Sequence, residues 1–74
     1  MIDLQYRDYS QWQIDRFTER YGALVRFRFV ISSFDGSSET LFGLAANGVD
    51  LDAEATAYVE RRYCGDLPTV EVIR

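Results

Sequence analysis

The sequence predicts an α+β fold in which two helices pack on one face of a four-stranded antiparallel sheet. Two β-rich runs meet at Asp35-Gly36, a dipeptide typical of tight hairpin turns. A run with helical spacing lies on each side of this hairpin, and a short alternating run lies near each end of the chain. The element order is therefore β-α-β-β-α-β, and residues 1–74 are expected to form a single domain.

Local patterns indicate the first strand and the first helix. Apolar and polar residues alternate near the amino end, with one face made of Ile2, Leu4 and Tyr6. Ser10 and Gln13 have the spacing of a capping box. Gly22 is a suitable carboxy-terminal cap, so a helix is expected over residues 10–21. Its apolar stripe consists of Ile14, Phe17 and Tyr21.

The register of the central hairpin follows from its turn. A two-residue type I′ turn at Asp35-Gly36 makes Phe34 and Ser37 the flanking pair. The facing pairs are then Ile31–Thr40, Phe29–Phe42 and Phe27–Leu44. The apolar face of the hairpin consists of Val25, Phe27, Phe29, Ile31, Phe42, Leu44 and Ala46. A three-residue loop would instead shift the parity and turn one strand over.

The second helix and the last strand complete the order. An Asn-Gly pair ends the third strand, and Asp50 or Asp52 is expected to cap the next helix. The apolar stripe of this helix consists of Leu51, Ala55, Tyr58, Val59 and Tyr63. Arg62 falls within the stripe and is expected to extend its charged head to water, while Gly65 closes the helix. The last strand is expected over residues 69–73.

This order resembles the ferredoxin-like split β-α-β arrangement. Right-handed crossovers in both β-α-β units would place the helices on one face, with the strands in the spatial order 4-1-3-2. The helix-covered face would hold Leu4, Tyr6, Phe27, Phe29, Phe42, Leu44, Val70 and Val72. The open face would show Asp3, Gln5, Arg26, Arg28, Leu41, Gly43, Glu71 and Ile73. The second strand would lie at an edge, where its two arginines discourage pairing with another chain.

The composition excludes more function classes than any motif proposes. The chain has a net charge of −4 and contains eight arginines, but neither lysine nor histidine. It therefore has no lysine for Schiff-base or P-loop chemistry, and no histidine to act as a near-neutral base or metal ligand. The loop of residues 7–11 has no glycine, unlike the phosphate-binding loop of acylphosphatases, which share this topology. We therefore expect a non-enzymatic protein without a cofactor or a metal.

The sequence also bears on cellular location. The single cysteine, Cys64, has no partner for an internal disulfide, which indicates a reducing compartment. The amino end lacks the basic and then apolar pattern of a secretory signal, and no apolar run reaches about 18 residues. We therefore expect a cytoplasmic protein that does not interact with a membrane.

Trp12 is the residue that most strongly suggests a binding surface. Helical spacing directs it away from the apolar stripe, with Arg16 and Arg20 one and two turns further on and Tyr9 nearby. Trp, Arg and Tyr are the residue types most enriched in interface hot spots. Alternatively, the indole ring folds over the first helical turn or a neighbouring loop, with Arg16 stacked on it.

Three carboxylates at the start of the second helix form another candidate surface. Asp50, Asp52 and Glu54 alternate like calcium ligands, but the glycine and the distal glutamate of a calcium loop are absent. Capping and the helix dipole account for all three residues. Together with Glu60 and Asp66 they could also dock on a basic partner.

The leading hypothesis is a small acidic module that binds another protein as a monomer or homodimer and acts as a stoichiometric regulator or inhibitor. The net charge suits a partner with a basic surface. Size and charge alone suggest phage-encoded antagonists of host defence, including anti-CRISPR proteins, as a setting.

Two alternatives belong to other function classes. RNA or single-stranded nucleic acid could bind the open face, although the acidic charge disfavours it. That alternative requires a register change of one residue that turns Phe27, Phe29 and Phe42 outward. The other is self-association, through the edge of the second strand or through Val30, Leu41 and Ile73.

Overall fold

A computed structural model describes residues 2–74 and confirms the α+β class and the β-α-β-β-α-β element order, which matches that of a ferredoxin-like layout. The elements are β1 (Ile2–Gln5), α1 (Gln11–Tyr21), β2 (Leu24–Ser32), β3 (Ser38–Ala46), α2 (Leu51–Arg62) and β4 (Thr69–Ile73). The four strands form one antiparallel sheet, as predicted.

The loop between β2 and β3 has three residues, Phe34–Gly36, where the sequence predicted a turn of two. Ser33 and Ser37 flank it, because the Ser33 N–H donates to the Ser37 carbonyl at 2.9 Å. A type I′ turn requires positive φ at both central residues, but only Gly36 has it here, at +86°. The Asp35 carboxylate instead accepts hydrogen bonds from the Ser37 hydroxyl (2.6 Å) and backbone N–H (2.9 Å), which lower the pKa of Asp35.

The longer loop shifts the predicted register by one residue and turns β3 over. The observed pairs are Ile31–Glu39, Phe29–Leu41, Phe27–Gly43 and Val25–Ala45. Leu41, Gly43 and Ala45 therefore share a face with Phe27, whereas the sequence placed the first two on the open face. Phe42 and Leu44 point to the opposite face, and their predicted position beside Phe27 and Phe29 is wrong.

The strand order is β1-β3-β2-β4, which differs from the predicted 4-1-3-2. β4 pairs with β2 and not with β1, so β2 and β3 are central while β1 and β4 form the edges. Arg26 and Arg28 lie on β2 and consequently do not protect a sheet edge.

This strand order also places the helices differently, because they lie on opposite faces of the sheet. The connections β1-α1-β2 and β3-α2-β4 both cross the sheet toward the β4 edge, but they start from strands that run in opposite directions. Two right-handed crossovers therefore place their helices on opposite faces of the sheet. α2 packs its Leu51 and Ala55 against a cluster that includes Phe27, Phe29 and Ile31.

α1 lies across the other face, which carries Asp3, Gln5 and Arg26. Hydrogen bonds join this face to α1 and to the loop before it: Tyr9 to Asp3 (2.7 Å), Gln13 to Gln5 (3.3 Å) and Arg26 to Asp8 (3.1 Å). Leu44, also on this face, is fully buried. Each side of the sheet therefore has its own apolar contacts.

The helix starts agree with the sequence, and one helix end differs. Ser10 and Gln13 form the predicted capping box, and Asp50 accepts a hydrogen bond from the Ala53 N–H at 3.2 Å as the cap of α2. α2 ends at Arg62 and does not continue to Gly65, because Tyr63 adopts an extended conformation.

Gly43 is required by close packing. A Cβ atom added at Gly43 would overlap the Phe27 ring, which lies directly over this position. Phe27 is itself only 3% exposed, so it has little freedom to move aside.

We expect Gly43→Ala to lower the free energy of unfolding by about 1–3 kcal/mol, because it overpacks the sheet surface. Urea denaturation would measure the change. A Phe27→Leu substitution in the same chain should relieve part of the loss. Wild-type stability for Gly43→Ala alone would mean that the Phe27 ring does not cover this glycine.

Tyr9 links the loop before α1 to the sheet. Its hydroxyl donates to the Asp3 carboxylate at 2.7 Å and lies 3.4 Å from the Phe42 carbonyl oxygen. Burial is the main cause that raises the pKa of Tyr9 well above its ordinary value, and the Asp3 carboxylate acts in the same direction. The folded protein therefore holds this proton more tightly than the unfolded chain.

We expect stability to fall as the pH rises above about 10, where tyrosine ionises in the unfolded chain and opposes refolding. Below that pH, Tyr9 is protonated in both states, and its hydrogen bond contributes fully to the free energy of unfolding. Tyr9→Phe should lose about 1 kcal/mol at neutral pH and then show a weaker decline at alkaline pH. Urea denaturation across this pH range would test it, with the exposed Tyr21→Phe as control. An equal alkaline decline in Tyr9→Phe and wild type would contradict the assignment.

Candidate functional site

The outer side of α1 brings three predicted residues together. Trp12 is 65% exposed, and the Arg16 guanidinium lies over its ring, 5.0 Å from the centroid. Arg20 lies one turn further on and stacks on Tyr21 at 5.5 Å. We call Trp12, Arg16 and Arg20 the α1 surface, whereas Tyr21 stacks on Phe17 of the apolar stripe. Trp12 therefore combines the two interpretations, because it is exposed to solvent and also stacked by Arg16.

Tyr9, expected near Trp12, does not belong to this surface. It is only 7% exposed, and its hydroxyl points to Asp3 on the sheet. Its ring meets Phe17 edge to face, at 6.3 Å between centroids. Tyr9 precedes α1 and turns inward with the apolar stripe, so it supports the helix from beneath and offers no area to a partner.

The acidic start of α2 has an evident structural role. Asp50 caps the helix, and Asp52 and Glu54 lie in its first turn, near the positive end of the dipole. Across residues 2–74, no three carboxylate, cysteine or histidine side chains are grouped in a way that could hold a metal ion. The docking of Asp50, Asp52 and Glu54 on a basic partner remains a prediction.

A basic cleft that the sequence did not predict lies on the uncovered part of the α1 side of the sheet. Its volume is about 300 Å³. The cleft is lined by Asp8, Arg26, Phe27, Arg28, Phe42, Gly43, Ile73 and Arg74. Phe42 reaches it only because β3 is turned over, so the two-residue turn predicted from Asp35-Gly36 concealed the site. The three-residue loop was the alternative that could have revealed it.

A second unpredicted feature is a tyrosine cluster between α2 and the sheet. Arg62 donates a hydrogen bond to the Tyr6 hydroxyl at 2.8 Å and lies over the Tyr58 ring at 5.8 Å. The Tyr63 hydroxyl donates to Glu39 at 3.3 Å. Burial raises the pKa of Tyr58, although the Arg62 charge acts against it. The predicted burial of Tyr6 is wrong, because its side chain is 56% exposed.

Other exposed groups carry less structural information. Cys64 is exposed, and Phe34, at the hairpin tip, is 84% exposed. Within the described chain, neither helix has the length and apolar character needed to cross a membrane.

Comparison with known proteins assigns no family. No protein-family model matches this chain, and no curated protein or solved structure is significantly similar to it.

We expect Asp50→Ala to lower the free energy of unfolding by about 1 kcal/mol, because it removes the cap of α2. Asp52→Ala is the matched control: it removes the same charge two residues away but leaves the cap intact, so its effect should be smaller. Thermal or urea denaturation would compare the two. Equal losses would indicate that the dipole, and not the cap, accounts for Asp50.

Proposed function

We propose that this chain is a small, non-enzymatic protein-binding module whose partner contacts the α1 surface. The observation that carries this proposal is the large exposed area of Trp12, with Arg16 stacked over its ring. A rigid aromatic side chain beside an arginine is typical of the few residues that dominate binding energy at interfaces.

The stacking also favours binding through entropy. Arg16 restricts the indole ring of Trp12, and Arg20 and Tyr21 form a second stacked pair along the same helix. Side chains that are already ordered lose less conformational freedom when a partner covers them. Trp12 provides apolar area, and Arg16 and Arg20 provide positive charge, on the outer side of α1.

The net charge of −4 suits a partner with a basic surface. The carboxylates of Asp52 and Glu54 lie outside the α1 surface, and they would act mainly on the rate of association with such a partner. The arginines of the α1 surface would then meet local acidic or polar groups.

A module that binds without turnover acts stoichiometrically, as a regulator or inhibitor of its partner. Inhibitors of host defence carried by phages, such as anti-CRISPR proteins, are one class with this mode of action. Size and charge support this setting, and no sequence motif contributes to it.

The burial of Phe27 and Phe29 disfavours an RNA-binding platform of three aromatic residues, because of the three only Phe42 is half-buried, on the α1 side of the sheet. Phe27 and Phe29 are 3% and 0% exposed, so they offer no stacking platform for RNA bases. Self-association through an edge at β2 lacks support, because β2 is paired on both sides. Of the three other proposed contacts, Leu41 is 3% exposed, and Val30 and Ile73 are half-buried.

We expect Trp12→Ala to abolish or strongly weaken capture of a protein partner from host-cell lysate, because it removes the central apolar contact. Pull-down with the wild-type chain, read by mass spectrometry, would identify the partner, and light scattering would give the mass of each variant. Circular dichroism would confirm that the variants are folded.

Phe34→Ala is the matched control, because it removes an exposed aromatic side chain at the hairpin tip, outside α1. It should retain the partner. Equal capture by wild type and Trp12→Ala would remove the α1 surface from the proposal. Recovery of nucleic acid alone would overturn the protein-binding function.

A further inference from the structure

The basic cleft has features of a ligand site that are separate from the α1 surface. One row of side chains crosses the sheet from β3 through β2 to β4: Phe42, Arg28 and Ile73. Phe42 and Ile73 are half-buried and supply apolar surface, and the exposed Arg28 lies between them in the row. Arg26 and Arg74 complete the positive rim.

The charge of the cleft is opposite to that of the whole chain. Three arginines line it together with a single carboxylate, Asp8. Arg26 and Asp8 form an ion pair at 3.1 Å, the only side-chain ion pair found within residues 2–74. Arg28 and Arg74 accordingly have no carboxylate partner in that part of the chain. Two exposed arginines without a carboxylate partner give the cleft a positive potential that attracts anions.

We propose that this cleft binds a nucleotide unit, with the base against Phe42 and the phosphate between Arg28 and Arg74. Arginine binds phosphate through paired hydrogen bonds, and an aromatic ring on an open sheet stacks on a base. The volume of about 300 Å³ is at the lower end for small-ligand pockets and suits one nucleotide. The unit is either a free mononucleotide or one residue of a single strand, since both present the same chemistry.

Titration of the isotopically labelled full chain, followed by NMR, would test the proposal with four probes: AMP, adenosine, inorganic phosphate and a short single-stranded oligoadenylate. We expect AMP to shift the amide signals of Arg28, Phe42 and Ile73. Adenosine and phosphate should each bind more weakly, because each supplies only part of the ligand. Tighter binding of the oligoadenylate would identify a single strand as the source, and equal binding a free nucleotide.

Two variants separate the contributions of charge and stacking. Arg28→Gln should weaken AMP binding about tenfold through loss of a charge-assisted pair. Phe42→Leu keeps an apolar side chain but removes the ring, and should weaken AMP while leaving phosphate unchanged. Arg61→Gln, an exposed arginine on α2, is the matched control and should bind AMP like the wild type.

Three results would overturn the nucleotide assignment. The first is the absence of shifts in the cleft with both AMP and the oligoadenylate. The second is equal weakening by Arg28→Gln and Arg61→Gln, which would indicate general charge attraction. The third is a shift of the same signals by an acidic peptide, added as a fifth probe, at concentrations where neither nucleotide probe shifts them. Because Trp12→Ala leaves the cleft intact, the titration is independent of the protein-binding proposal.

Discussion

The length of the loop between β2 and β3 is the constraint on which the rest of the structure depends. Side chains alternate along a strand, so the number of residues in the loop decides which half of β3 meets which helix. A loop of three residues places Gly43 beneath the Phe27 ring, on the face that α2 covers. The same choice brings Phe42 to the basic cleft on the other side. One core and one candidate site are thus set by a single turn.

The two helices use the central strands from opposite sides. α2 covers the aromatic and aliphatic residues of one face, and α1 covers Leu44 and the Asp3–Tyr9 hydrogen bond on the other. α1 leaves the β4 side of its face uncovered, and the basic cleft lies there. A layout with both helices on one face would have left the whole opposite face open. The uncovered area is therefore small and local, which makes it a cleft and not a platform.

Features decided by neighbouring residues could be predicted from the sequence, and features decided across the chain could not. The caps at Ser10 and Asp50 follow from contacts between residues three positions apart, and helical spacing was sufficient to place Trp12 outward. Asp35-Gly36 fits a turn of two residues and also a loop of three with glycine last. The partner of β4 is chosen by packing between distant segments. The contact between Tyr6 and Arg62 joins residues 56 positions apart, beyond any local pattern.

The unequal burial of the two helices has a consequence for local unfolding. α2 buries Leu51, Ala55 and Val59, whereas α1 has no buried residue within its bounds. Partial opening costs least where the fewest apolar contacts are lost, so α1 would detach while α2 and the sheet persist. A ligand that recognises only the folded helix shifts this equilibrium by mass action. Occupation of the outer side of α1 would therefore also hold the less buried of the two helices in place.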